Sequence, residues 1–351
     1  MPFDEFMALA LYHPEYGYYE CDSALVGLTG DFHTSVSVGP LFGKLLAALF
    51  HEMAQKTGLG SANQPLQLVE AAAHDGSLAE DILKWFRAEA PDLAVEYVFS
   101  DPSATRREWQ AKRLAPFSKQ VRWVKNIAEI KQSGGVSGVI FANELLDAMP
   151  VKRLCWDAGV KQWQELGVGH SGEALDWQIL GPARAKDVAL LGELPNELLA
   201  LLPHGFCREV SPTAVEWWKN AAEGLNQGCL LTFDYGFERE EFFLPGRDRG
   251  TLRCYQGHRV SDDLLSEPGR KDLTAQVDYS LIRSTGEAAG LKTMTFELQG
   301  RFWNGKIAEW MRNWGETMPG WFQTEVRQLS NLTHPDHFGR AFRVLQQQRP
   351  G

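Results

Sequence analysis

Between Leu66 and Ala142, four short apolar runs alternate with stretches of helical periodicity, and few architectures accept that pattern. Leu66 to Ala71 (LQLVEA) reads as a buried strand. From Gly76, GSLAEDILKWFRAEA spaces its apolar residues along one face of a helix, which Pro91 stops. Val95 to Ser100 is the next strand, and Ser103 to Leu114 is a helix with Ser103 at its N-cap. Val121 to Val124 is a third strand and Gly138 to Ala142 a fourth. Strand and helix alternating at this spacing build βαβ units and a parallel sheet.

The flanks add to this core. Residues 1–50 read as a helix, an aromatic turn (His13 to Tyr19), a loop and a second helix from about Pro40. After the fourth strand, NELLDA (Asn143 to Ala148) reads as a short helical stretch. Val151 to Leu180 alternates as antiparallel hairpins do, and Glu209 to Leu225 gives a strand end and a helix. Gly228 to Tyr235 is the strongest strand signal. Residues 237–280 are Gly-, Pro- and Asp-rich and read as a long ordered lobe. A helix (about 280–289), a strand (about 292–297), further helices and a strand near Ala341 to Leu345 follow. The expected fold is a doubly wound, Rossmann-like α/β sheet of seven mainly parallel strands, the last antiparallel at or beside an edge. The expected organisation is an N-terminal helical segment (1–60) and a core (61–150 and 206–351) with an insertion at about 237–280. Residues 151–205 form an inserted hairpin and helical lobe.

In open α/β sheets ligands lie beyond the carboxyl ends of the strands, so the residues there are the candidates for chemistry. The first strand runs into Glu70-Ala71-Ala72-Ala73-His74-Asp75-Gly76, small residues that let a ligand approach the backbone or simply make a tight turn. Asp101 ends the second strand, where a carboxylate can accept both ribose hydroxyls or cap the next helix. Asn143, Glu144 and Asp147 follow the fourth strand, as substrate contacts or as a helix cap. Asp234 and Tyr235 end the fifth, in a polar cleft or a satisfied turn. Together these make an acid-lined cleft without a phosphate-binding Lys or Walker motif. That favours a nucleoside without phosphates, such as S-adenosylmethionine, over NAD or ATP.

Charge and cysteines narrow the partners. A net charge of −10 disfavours nucleic acid. The five cysteines are scattered, with no CxxC pair, so neither a metal site nor a disulfide framework is expected and a reducing, cytoplasmic setting is. No apolar stretch approaches the ~18–20 residues of a membrane span, and the first residues do not read as a signal peptide.

Long ordered motifs carry a family resemblance. They include FMALALYHPEYGYY (Phe6 to Tyr19), GDFHTSVSVGPLFG (Gly30 to Gly43), VEAAAHDGSLAEDIL (Val69 to Leu83), FANELLDAMPV (Phe141 to Val151), LLTFDYG (Leu230 to Gly236) and DLTAQVDYSLI (Asp272 to Ile282). The chain resembles the MidA-like family of class I S-adenosylmethionine-dependent methyltransferases, related to the mitochondrial complex I assembly-factor arginine methyltransferase. The resemblance implies S-adenosylmethionine as cofactor, held by Glu70, Ala72, His74, Gly76, Asp101 and the Gly30-Asp31-Phe32 segment. It also implies that Asn143, Glu144 and Asp147 face the reacting end, and that a protein substrate or assembly partner is bound. The family loop reads Glu-x-Gly-x-Gly-x-Gly. Here Ala72 and His74 replace two glycines, so the His74 ring either contacts the cofactor's carboxylate or covers its site. Two functions fit: methylation of protein arginine, or a non-catalytic assembly protein on the same fold. Small-molecule methylation is less favoured, because the added lobe suits a peptide-sized acceptor.

Overall fold

The computed structural model describes residues 1–20, 35–36, 39–172, 174–257, 259–314 and 319–350. Gly30, Asp31 and Phe32 therefore lie outside the described residues. Chain order gives helix α1 (Phe3–Tyr12), α2 (Leu41–Thr57), strand β1 (Leu66–Ala71), α3 (Ser77–Glu89), β2 (Val95–Ser100), α4 (Ala104–Arg113), β3 (Val121–Val124) and β4 (Val136–Asn143). Then come β5 (Lys152–Asp157), β6 (Gln162–Ser171), β7 (Ala174–Pro182), β8 (Cys207–Val210) and β9 (Leu225–Phe237). The chain continues through β10 (Arg253–Gln256), β11 (Arg259–Ser261), β12 (Asp272–Thr274), β13 (Val277–Asp278), β14 (Lys292–Leu298) and β15 (Phe342–Arg349).

The central sheet runs β14-β15-β9-β4-β1-β2-β3. The pairs from β9 to β3 are parallel. β15 lies antiparallel between β9 and β14, one strand in from the edge, as its sequence position predicts. An eighth strand, the two-residue β13, pairs with β9. It is too short to leave a periodic signal.

Consecutive strand residues supply two different cores. Leu68, Tyr97, Phe99, Val139, Phe141, Leu231 and Phe233 pack under α2 and α3. Val69, Val98, Ile140 and Leu230 pack on the other face, against the helices at Pro212–Gly224 and Tyr279–Ala288. Burial on both faces is why these strands read as continuous apolar runs. α3 buries Leu78, Ala79, Ile82, Leu83, Trp85 and Phe86 as one stripe. Each large side chain in it contributes about 1.5–3 kcal/mol. Ser103 caps α4 as expected, its side chain accepting from the Arg106 N–H at 3.2 Å. A Cβ on Gly138 would lie 2.0 Å from the Gln67 carbonyl oxygen, so the close β1–β4 approach admits only glycine there.

The insertions form two smaller sheets, β7-β6-β5-β8 and β11-β10-β12, both antiparallel. α1 packs its Phe3, Met7 and Leu11 with Leu252, Leu264 and Leu273 of the second insertion. The far end of α1 reaches the loop after β4, where the Tyr12 hydroxyl donates to the Ala148 carbonyl at 2.9 Å.

One predicted element does not form. Asn143 ends β4, and residues 144–149 are turn and bend rather than helix. Glu144 adopts φ +54°, and the N–H groups of Leu145, Leu146 and Asp147 donate to one oxygen of Asp234 at 3.1, 2.8 and 3.4 Å. A buried carboxylate collecting three successive amides outcompetes the intrahelical bonds that NELLDA would make.

Candidate active site

The strand order reverses between β1 and β4, and there a cavity of about 730 Å³ opens at the carboxyl ends of the strands. Its size suits a small-molecule ligand with part of an acceptor. Of the expected residues, Glu70, Ala72, His74, Asp101, Asn143, Glu144 and Asp147 all line it. Gly76 does not reach the wall; it is the left-handed N-cap of α3, at φ +82°.

The β1 loop keeps a glycine backbone without the glycines. Ala72 has φ +60° and His74 φ +44°. With Glu144, these are three of the five non-glycine residues at positive φ among those described, and all three line one cavity. A left-handed alanine is disfavoured by about 1–2 kcal/mol, so the surroundings impose this path. The His74 ring leans toward α4: Nδ1 is 3.9 Å from Asp75 Oδ1 and the ring centroid 5.9 Å from that of Trp109. It lines the cavity at this end.

Glu70 and Asp101 occupy the two strand ends differently. Glu70 is buried and accepts the Tyr97 O–H at 2.5 Å. Burial pushes its carboxyl up to about 8, with Asp75 and Asp101 adding to the effect against the Tyr97 hydrogen bond. Asp101, equally buried, accepts from Arg106 Nε, from Gln110 Nε2 at 2.8 Å and from the Ser103 N–H at 3.0 Å. Asp101 thus lines the cavity and also organises the start of α4.

The opposite end of the cavity is acidic. Asp147 is buried beside the Asp234 carboxyl, with which it shares a hydrogen bond, and its Oδ1 accepts none from an N–H or O–H donor of the fold. Burial and the charges of Asp234, Asp272 and Glu144 hold its carboxyl well above the usual range. Asp234, directly behind, accepts the three loop amides and the Tyr235 N–H at 2.8 Å; burial raises it to about 6. Glu144 accepts from the Ser35 N–H at 3.1 Å and from Asn143 Nδ2 at 2.9 Å. It is half-buried at the cavity's edge, and loss of hydration pushes it up to about 8.

Sequence reasoning missed the wall that closes this end: Tyr12, Tyr19, Tyr255 and Asp272. They come from α1, the segment after it and the second insertion, far apart in sequence. The aromatic density of residues 12–19 was the available signal, and it does not say what those rings face.

A doubly wound sheet with an acid-lined cavity at its switch point, small residues in the β1 loop and a buried acid ending β2 defines a nucleoside-binding enzyme of the methyltransferase class. The chain belongs to a family of S-adenosylmethionine-dependent methyltransferases: residues 45–297 match the family model described as "Putative S-adenosyl-L-methionine-dependent methyltransferase". A Drosophila melanogaster protein, "Protein arginine methyltransferase NDUFAF7 homolog, mitochondrial", is 28% identical over 83% of this chain and 67% of its own length. The Homo sapiens "Protein arginine methyltransferase NDUFAF7, mitochondrial" is 28% identical over 82% of this chain and 66% of its own. The chain thus spans about two thirds of these curated relatives. A Burkholderia thailandensis COG1565 superfamily protein, solved with S-adenosyl-homocysteine bound, superposes with a TM-score of 0.82. It is 28% identical, with 99% of this chain and 88% of that one covered. The cofactor is S-adenosylmethionine, and Ala71 to Ala73 line the cavity at the β1 end. The expectation of a cytoplasmic protein is overturned, because the curated relatives are mitochondrial proteins. Scattered cysteines indicate a reducing compartment, and they do not distinguish one such compartment from another. No described helix is long and apolar enough to cross a membrane.

Proposed function

We propose that this chain methylates an arginine side chain of a protein. The observation that carries the reading is the buried Oδ1 of Asp147 in the acidic end of the cavity, which accepts no hydrogen bond from an N–H or O–H donor of the fold. A buried carboxylate oxygen without a donor is unfavourable unless a ligand supplies one, and a guanidinium supplies five. The names of the curated relatives support the same acceptor and a mitochondrial setting. The family resemblance adds a link to assembly of a respiratory complex.

S-adenosylmethionine supplies an electrophilic methyl group on a sulfonium centre. Glu70, the Ala72 and His74 backbone, Asp101 and the Gly30-Asp31-Phe32 segment are the residues assigned to hold it. The chain's own work is positioning, which can contribute ~7–11 kcal/mol. Asp147 and Glu144 orient the guanidinium, whose free pKa lies above ~12. The attacking nitrogen gains the methyl carbon, the sulfur–carbon bond breaks with its electron pair left on sulfur, and the nitrogen's proton passes to the Asp147 carboxylate. Asn143 holds Glu144 in place through its 2.9 Å hydrogen bond.

The test uses methyl-labelled S-adenosylmethionine and an array of arginine- and lysine-centred peptides. Label recovered as methylarginine after hydrolysis supports the proposal. Label recovered only on lysine, or only in small molecules, overturns it.

A further inference from the structure

The second insertion delivers a carboxylate to the same cavity from outside the central sheet. Asp272, at the start of β12, is 2% exposed and lines the acidic end beside Asp147. The Ala275 N–H donates to the Asp147 carbonyl at 2.9 Å, which ties the β12 loop to the Asn143–Pro150 loop. The Tyr19 hydroxyl donates to Asp272 Oδ1 at 2.7 Å. Tyr12 and Tyr19 stack, with centroids 5.5 Å apart and planes 23° apart, and the Tyr12 hydroxyl is anchored to the Ala148 carbonyl at 2.9 Å. Two ordered rings, both lining the cavity, thus stand beside two acids from different parts of the fold.

An acid cluster alone does not define a ligand. The buried Asp147 Oδ1 in the same wall, which no N–H or O–H donor of the fold reaches, is the separate observation that does. Carboxylates recognise a guanidinium through its planar fork of N–H donors, and aromatic faces stack flat on it; an ammonium has no fork and meets an aromatic face only as a point charge. Resting on the proposal of an arginine acceptor, we propose that Asp272 is the second carboxylate to receive the guanidinium. Tyr19 is the positioning residue that aims it, and the Tyr12–Tyr19 pair supplies the stacking face. The acceptor then enters between the central sheet and the second insertion. Selectivity for arginine over lysine resides in residues outside the methyltransferase core.

The experiment is calorimetric titration of the protein, saturated with S-adenosyl-homocysteine, with N-ethylguanidinium and with n-propylammonium. The parent should prefer the guanidinium at least tenfold. Asp272→Asn should weaken guanidinium binding tenfold or more while S-adenosyl-homocysteine affinity stays within twofold. Tyr19→Phe should narrow the guanidinium-to-ammonium ratio, which a purely structural tyrosine would leave unchanged. Guanidinium binding undiminished in D272N, or a parent without preference for guanidinium, overturns the assignment and leaves the methyltransferase reading intact. If D272N also loses S-adenosyl-homocysteine, Asp272 is structural; an unchanged ratio in Y19F likewise overturns the clamp. Failure of the parent to bind S-adenosyl-homocysteine overturns the functional proposal instead.

Discussion

The Arg106 guanidinium lies along the carboxylate of Asp101, with Nε 3.1 and 3.2 Å from its two oxygens and a terminal nitrogen 3.0 Å from Oδ1. Arg106 also reaches Glu20 Oε1 at 2.8 Å, and Glu20 Oε2 accepts the Ser103 hydroxyl at 2.6 Å. The acid assigned to the ribose hydroxyls is therefore already held by its own chain. Asp101→Ala should weaken S-adenosylmethionine at least tenfold, or ~1.4 kcal/mol. Removing one partner of a buried pair is also destabilising, by ~3–5 kcal/mol, here toward the lower end because Arg106 keeps Glu20. Arg106→Gln separates the two roles. It leaves Asp101 its Gln110 and Ser103 donors, so it should lower stability in urea while cofactor affinity stays within threefold. Equal affinity losses in both variants would mean that the ion pair, and not Asp101 alone, shapes the site.

Ala72 and His74 predict a stabilising change at a binding loop. Glycine at either position relieves a positive φ, so Ala72→Gly and His74→Gly should each raise stability by about 1 kcal/mol in chemical denaturation. Because the His74 ring leans toward Asp75 and Trp109, H74G should alter S-adenosylmethionine affinity less than threefold. A tenfold loss would make the ring a cofactor ligand, and a tenfold gain would make it an obstruction.

What the sequence revealed follows from how each part is stabilised. The strands of the central sheet are buried on both faces, so Leu66 to Ala71 and Gly228 to Tyr235 announce themselves by composition alone. Glu70, Asp101, Asn143, Glu144 and Asp147 follow, because a residue at the end of such a strand has its place fixed by topology. The Asn143–Ala148 turn was not legible. Its helical appearance is local, while the force that unwinds it is a carboxylate about 90 residues further along, Asp234. Asp272 and Tyr19 were hidden for the same reason, since their 2.7 Å contact spans 253 positions. The resemblance identified DLTAQVDYSLI as a motif without saying which cavity it faces.

Glu70 makes stability depend on pH in a definite direction. Its carboxyl is raised from the ordinary 4.5 to about 8 by burial, so between those values the folded state binds more protons than the unfolded chain. Stability must then fall as pH rises from about 4.5 through about 8, by an amount on the order of a few kcal/mol. Glu144, raised to about 8 for the same reason, adds to the slope. Glu70→Gln keeps the acceptor for the Tyr97 hydroxyl and cannot ionise, so its melting temperature should decline less across pH 5–8 than the parent's. Parallel curves would show that Glu70 is ionised in the folded protein throughout.

The acidic end of the cavity should release protons when a cation enters it. With no cation present, burial holds Glu144 at about 8, so it carries a proton at pH 7, and burial with the neighbouring acids shifts Asp147 in the same direction. A guanidinium within hydrogen-bond reach favours the ionised forms and draws those values down. Binding at pH 7 therefore expels protons, and by linkage the affinity must rise with pH, up to tenfold per pH unit for each proton released, levelling off above about 8. Titration of N-ethylguanidinium into the S-adenosyl-homocysteine complex, in phosphate and in Tris at pH 7, reads this directly. The apparent heats should differ in proportion to the two buffers' ionisation enthalpies, with at least half a proton released. Glu144→Gln should reduce that number. Heats identical in the two buffers would mean that these carboxylates are ionised before the cation arrives, and that burial alone does not set their charge.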